Sequence, residues 1–184
     1  CGGRVRQADD PCEEDPMNGA EYVQSAFREM HRAMLADMQP LQQENLGWKP
    51  APSANPIGAI FLHFMRTEDG IVHRLQEKPP MFESEGWAEK LGLADETPGS
   101  ALNLDDADRV AQVPLERLLA YAERVMEDAT EFVASLTDEG LDRAPDPNNP
   151  RRTVAFTLRS FTLSHGWWHL GEIKYLKGLQ GYDS

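Results

Sequence analysis

Cysteine is nearly absent from this chain. Its two copies, Cys1 and Cys12, both fall in the first sixteen residues, CGGRVRQADDPCEEDP, which carry no apolar periodicity and are followed by Met17. That leader reads as an upstream extension or a disordered tail, residues 1–16, ahead of a domain over residues 17–184. A mature lipoprotein also begins on Cys and is the other reading of such a start. On the extension reading the body holds no cysteine, which excludes a disulfide scaffold, a thiolate zinc site and a cysteine nucleophile. Long hydrophobic runs are missing too: nothing approaches the roughly 18 apolar residues that a membrane span needs. Clustered Lys and Arg are missing from a chain of formal net charge −13, so a nucleic-acid surface is excluded. No signal peptide is visible, and a cytoplasmic location is expected.

Strand alternation and internal repeats are also lacking; what is present is helical periodicity. Val23, Phe27, Met30, Met34 and Met38 recur every three or four residues, predicting a first helix over 18–38. Asn55 as cap and Pro56 as first helical residue open a second, which continues to about Gln76 with Ile57, Ile60, Phe64, Ile71 and Leu75 inward and is stopped by Pro79-Pro80. A third runs from near Pro114 to near Leu136 on Leu115, Leu118, Ala122, Val125, Ala129, Phe132 and Leu136. A fourth spans about Thr153 to Leu179 after a turn rich in Pro, Asp and Asn. Four amphipathic helices predict an all-α four-helix bundle. The segment 79–112, with a short helix around Trp87 to Leu91 and acidic Asp105, Asp106 and Asp108, is far longer than a hairpin requires. Such a crossover lets the second and third helices run parallel, giving an up-down-down-up order.

Polar residues stand where apolar ones are expected. At about 100° per residue, His165, His169 and Glu172 share the arc of Val154, Leu158, Phe161, Leu176 and Leu179. Burying them is costly unless something satisfies them. Histidines at i and i+4 stack on one helix face and can share a metal ion. His63, at the margin of the second helix's inward face, is the candidate third ligand. Three imidazoles with an open position suit a catalytic zinc, nickel or iron site. The plainer reading is a helical bundle with hydrogen-bonded core histidines. Glu172 is expected to orient a ligand or pair with an arginine. Glu68 is expected to do likewise or to ion-pair with a neighbouring helix. His31 and His73 read as surface or boundary residues, and Trp167 and Trp168 as core packing. Gly166 stands where an H-E-x-x-H protease has its general base, and no Glu-x-x-His di-iron motif occurs.

These segments resemble a known family. Asn55-Pro56-Ile57-Gly58 leading to His63, Arg66 and Glu68-Asp69 is similar to the second helix of the DinB-like superfamily. His165-Gly166-Trp167-Trp168-His169-Leu170-Gly171-Glu172-Ile173, followed by Tyr175-Leu176-Lys177-Gly178-Leu179, resembles its last helix. The resemblance implies an up-down-down-up bundle, a divalent metal on His63, His165 and His169, a small-molecule substrate and a homodimer. Some relatives transfer or isomerise with mycothiol, bacillithiol or glutathione, the metal presenting the thiolate. The expectation is therefore a metal-dependent enzyme, a low-molecular-weight thiol-dependent S-transferase or a hydrolase. The alternative is a non-catalytic metal-binding stress-response or interaction protein on the same bundle.

Overall fold

The computed structural model describes residues 17–93 and 104–182, so the leader 1–16 and part of the crossover lie outside the described residues. Among the described residues every regular element is helical, and no helix is long and apolar enough to cross a membrane. α1 (Gly19–Met38) is opened by a capping box, in which Asn18 Oδ1 accepts from the Glu21 amide and Glu21 accepts from the Asn18 amide. Its spaced Phe27, Met30, Met34 and Met38 are all fully buried. A short α2 (Gln43–Gly47) precedes α3 (Ile57–Leu75).

The start of α3 corrects the expectation by one residue. Pro56 has ψ 159°, which is extended, and so is the cap rather than the first helical residue. Its carbonyl receives the Ile60 amide, and Ile57 begins the helix. At the other end Glu77 takes φ 60°, a left-handed conformation normally left to glycine. That residue, not Pro79, turns the chain.

The crossover holds α4 (Met81–Ser84), α5 (Trp87–Lys90) and α6 (Leu104–Val110). α7 (Leu115–Ala134) and α8 (Asp138–Asp142) follow. The fourth long helix is composite: α9 (Val154–Leu158), a π turn at Arg159–Leu163, and α10 (Ser164–Leu179). α1 and α3 each pack against both α7 and α10, around a core in which Phe27, Phe61, Phe64 and Tyr121 have no exposure.

Two histidine–carboxylate pairs lie inside this core. His31 and His73, expected at the boundary, are each only 5% exposed. His31 Nε2 is 2.8 Å from Glu68 Oε1, which joins α1 to α3, and its Nδ1 faces Thr130 of α7. His73 Nδ1 lies 2.9 Å from Asp69 Oδ1, one turn earlier on the same helix. A ring whose polar atoms are satisfied can sit in the core, and here the partner comes from another helix or the preceding turn.

Asp69 does more than hold His73. Its carboxylate accepts the Met81 and Phe82 amides at 2.9 Å each, as well as the Tyr121 hydroxyl at 2.7 Å. Those amides are the unpaired donors at the head of α4, so one buried carboxylate caps that helix and ties it to α3 and α7. Burial, followed by the charge and hydrogen bond of Asp69, pushes the Tyr121 hydroxyl well above its usual pKa. A second buried ion pair closes the far end, where Lys177 donates to Asp37 Oδ1 at 2.7 Å and to the Asp37 carbonyl at 2.8 Å.

Candidate metal centre

The π turn decides which residues of the last helix face inward. In it the Ser164 amide reaches back five residues to the Arg159 carbonyl, and the buried Thr162 hydroxyl bonds the Leu158 carbonyl. Such a turn inserts one residue without adding a helical step, so all that follows is displaced by about 100°. The buried face therefore runs through Val154, Leu158, Thr162, Gly166, Leu170, Ile173 and Lys177. This corrects part of the single stripe expected from an unbroken helix: Phe161 is 36% and Leu179 47% exposed, while Val154, Leu158 and Leu176 are buried as expected. The tryptophans lie outward, Trp167 at 41% and Trp168 at 70% exposure, against the core packing expected of them.

The same displacement moves His165 and His169 from the middle of the buried face to its flank, where both are half-buried. Across from them His63, also half-buried, projects from α3. The ring centroids of His63 lie 5.2 Å from those of both His165 and His169, which are themselves 4.3 Å apart. One nitrogen from each ring lies within 4.8 Å of the other two. Gly166 allows this approach, because a Cβ there would sit 2.8 Å from Met30 Sδ and 2.8 Å from Phe64 Cζ. The α10 backbone thus rests on the Met30 and Phe64 side chains one residue away from a candidate ligand.

The donor set fits a divalent ion. Nε2 of His165 and Nε2 of His169 face each other at 2.9 Å. Two nitrogens each about 2.0–2.1 Å from a shared ion, at about 90–110°, would stand about 2.8–3.4 Å apart. Glu172 Oε2 is 2.6 Å from Nδ1 of His169, accepting its proton and leaving Nε2 as a lone pair directed at the cluster. His165 Nδ1 is buried with no hydrogen-bond partner. Burial, then the neighbouring His169 and His63, lowers the His165 pKa to about 4. Burial, then His169, also lowers that of His63, against the opposing pull of Glu172. Both rings are thus held neutral near pH 7, the form that binds metal. Glu68, the other carboxylate considered from sequence, takes the second of its expected courses and pairs with His31 instead.

His63 also lines a cavity of about 830 Å³ between α3, the start of the crossover and the segment around the π turn. Its apolar wall includes Ile71, Leu75, Phe82 and Phe161, and its polar wall includes Arg66, Arg74, Lys78 and Arg152. Sequence reasoning missed Arg74 and Arg152. They reach one cavity from segments nearly eighty positions apart, and no local pattern signals that.

The chain belongs to the DinB superfamily, matched over residues 26–173. A crystal structure of a conserved protein from Enterococcus faecalis shares the fold with a TM-score of 0.77 at 20% identity, covering 89% of this chain and 97% of that one. No curated protein matches the chain.

Proposed function

We propose that this chain is a divalent-metal enzyme acting on a small molecule, with His63, His165 and His169 as ligands and zinc as the first candidate ion, ahead of nickel or iron. The observation that carries this reading is the convergence of three imidazoles, from two helices, on the flank of a cavity that His63 also lines. Such an ion, when bound, acidifies a coordinated thiol or water and supplies a nucleophile near neutral pH. The chain's own residues do the rest. Glu172 fixes the tautomer of His169, Gly166 brings the two helices together, and the cavity gives a substrate access to one side of the cluster. A body without cysteine, residues 17–184, suits an enzyme that borrows a low-molecular-weight thiol, and a thiol-dependent S-transferase is preferred over a hydrolase.

The up-down-down-up order belongs to the same reading. The bonds Asp69–Tyr121 and Gln76–Asp128 advance by seven residues on both helices, which supports parallel α3 and α7. His31 of α1 meets Thr130 of α7 while Ala20, earlier on α1, meets Asp138 just beyond the end of α7, which supports antiparallel α1 and α7. A homodimer is supported by the outward Trp168, Tyr175 and Leu179, which share one stripe of α10. Light scattering that finds a single chain would remove that assembly.

Elemental analysis tests the centre: about one ion per chain, lost on His165→Ala or His169→Ala, is the expected result. No ion after mild purification and reconstitution refutes it. Thermal shift with mycothiol, bacillithiol and glutathione at millimolar concentration tests the thiol, one of which should stabilise the loaded chain. An ion without any thiol response would favour the non-catalytic metal-binding protein.

A further inference from the structure

We infer that the cavity beside His63 binds an amphipathic organic anion, a carboxylate carried on an apolar body. This deepens the proposed function and rests on it for the reacting end, since His63 is the point where cavity and metal centre meet. The charge argument stands on the cavity alone. Acidic residues outnumber basic ones 31 to 18 in this chain, yet four cations, Arg66, Arg74, Lys78 and Arg152, face this one space. The carboxylates that also border it are Asp69, Glu77, Glu83 and Asp146. Asp69 is consumed by two amides, the Tyr121 hydroxyl and His73, and Asp146 accepts from the Asn148 amide.

Neither Arg74 nor Arg152 is paired with any of those carboxylates. Arg152 instead lies 4.8 Å from the Phe161 ring centroid, and Arg66 lies 4.1 Å from that of Phe82. Both rings line the cavity. The Arg152 guanidinium, stacked on an aromatic face, keeps its N–H edge available, and that planar fork matches a carboxylate. The rim continues outward through Phe156, whose ring centroid is 6.2 Å from that of Phe161 and 5.6 Å from the Arg159 guanidinium. Phe156 is 39% exposed. Apolar rings interleaved with guanidinium groups, above a floor of Ile71 and Leu75, form a surface for a molecule with a hydrophobic body and an anionic head.

The test uses the full-length, metal-loaded chain and two probes of the same shape, 4-phenylbutyrate and its uncharged amide, titrated by ligand-observed NMR. The acid should bind about tenfold or more tightly than the amide, the scale of one charge-assisted contact. In Arg74→Gln/Arg152→Gln the ratio should fall to about one, with melting temperature and metal content unchanged. Equal binding of acid and amide, or a ratio that survives the double substitution, overturns the proposal. Metal content measured on the same samples separates the two readings. A chain that holds no ion but keeps the acid preference refutes the metal centre and leaves the anion cavity standing. A chain that holds its ion with no preference refutes the cavity alone.

Discussion

Replacing Gly166 by alanine puts a methyl carbon 2.8 Å from Met30 Sδ and 2.8 Å from Phe64 Cζ, with Phe64 Cε2 at 3.0 Å. Ordinary carbon contacts lie at about 3.5–4.0 Å, so the neighbours must give way by roughly 0.7–1 Å. Met30 can bend, but Phe64 is fully buried on α3, one residue from His63, and has little room. If the ring stays, α10 moves away from α3. Overpacking of this kind costs about 1–3 kcal/mol, or roughly 2–10 °C in melting temperature for a chain of this length. The more telling effect is on the cluster. Metal–ligand distances tolerate about 0.2 Å, and the required displacement is several times that. His165 and His169 travel with Gly166 while His63 stays behind, so metal affinity should fall by about 10–100-fold, comparable to losing an orienting contact. Competition with a chelator of known affinity reads the second effect and differential scanning calorimetry the first. A Gly166→Ala chain with wild-type metal affinity would refute the claim that this close approach builds the site, whatever happens to its melting temperature.

Further outcomes follow from the same geometry. Asp69→Ala strands the Met81 and Phe82 amides and the Tyr121 hydroxyl, and should cost about 3–5 kcal/mol in denaturant unfolding. Unchanged stability would mean that the crossover is held by something else. Glu77→Gly relieves a left-handed residue and should stabilise the fold by up to about 1 kcal/mol, an effect absent from Glu77→Ala. The metal-free chain should lose stability as pH falls from about 6.5 to about 4. His165 is held neutral in the folded state with its pKa lowered to about 4, so across that window the unfolded chain takes up the extra proton. The His165→Ala chain should show a shallower slope in the same titration, and an identical slope would refute that assignment.

The four long helices were readable because each carries its own signal. Asn18 with Glu21 announces a capping box, and the spaced methionines of α1 bury as their period requires. The meeting of His63 with His165 and His169 was readable for a related reason: an i,i+4 pair of ionisable groups beside apolar positions asks for a partner. What failed was the assumption of a uniform helical step. Nothing in Arg159–Leu163 marks a π turn, and the inward face beyond it was misjudged at Leu179, although Leu176 is buried as expected; Trp167 and Trp168 were expected in the core for their size and lie outward. His31 and His73 were misplaced for a different cause. Their carboxylates, Glu68 and Asp69, are adjacent in sequence, but Glu68 meets His31 across the core from α1 while Asp69 meets His73 one turn along the same helix, and the apolar period alone does not signal that a polar pair is buried. Arg74 and Arg152 had no signal at all until the chain was folded.

The inserted residue in the last helix has a consequence for inheritance. Losing one codon within 159–163 would let that segment wind as an ordinary helix. Because the turn adds a residue without a helical step, everything after it would keep its present face, and His165 and His169 would still meet His63. A one-residue change that the turn does not absorb would instead swing the pair away by about 100° and leave the outline of the bundle intact.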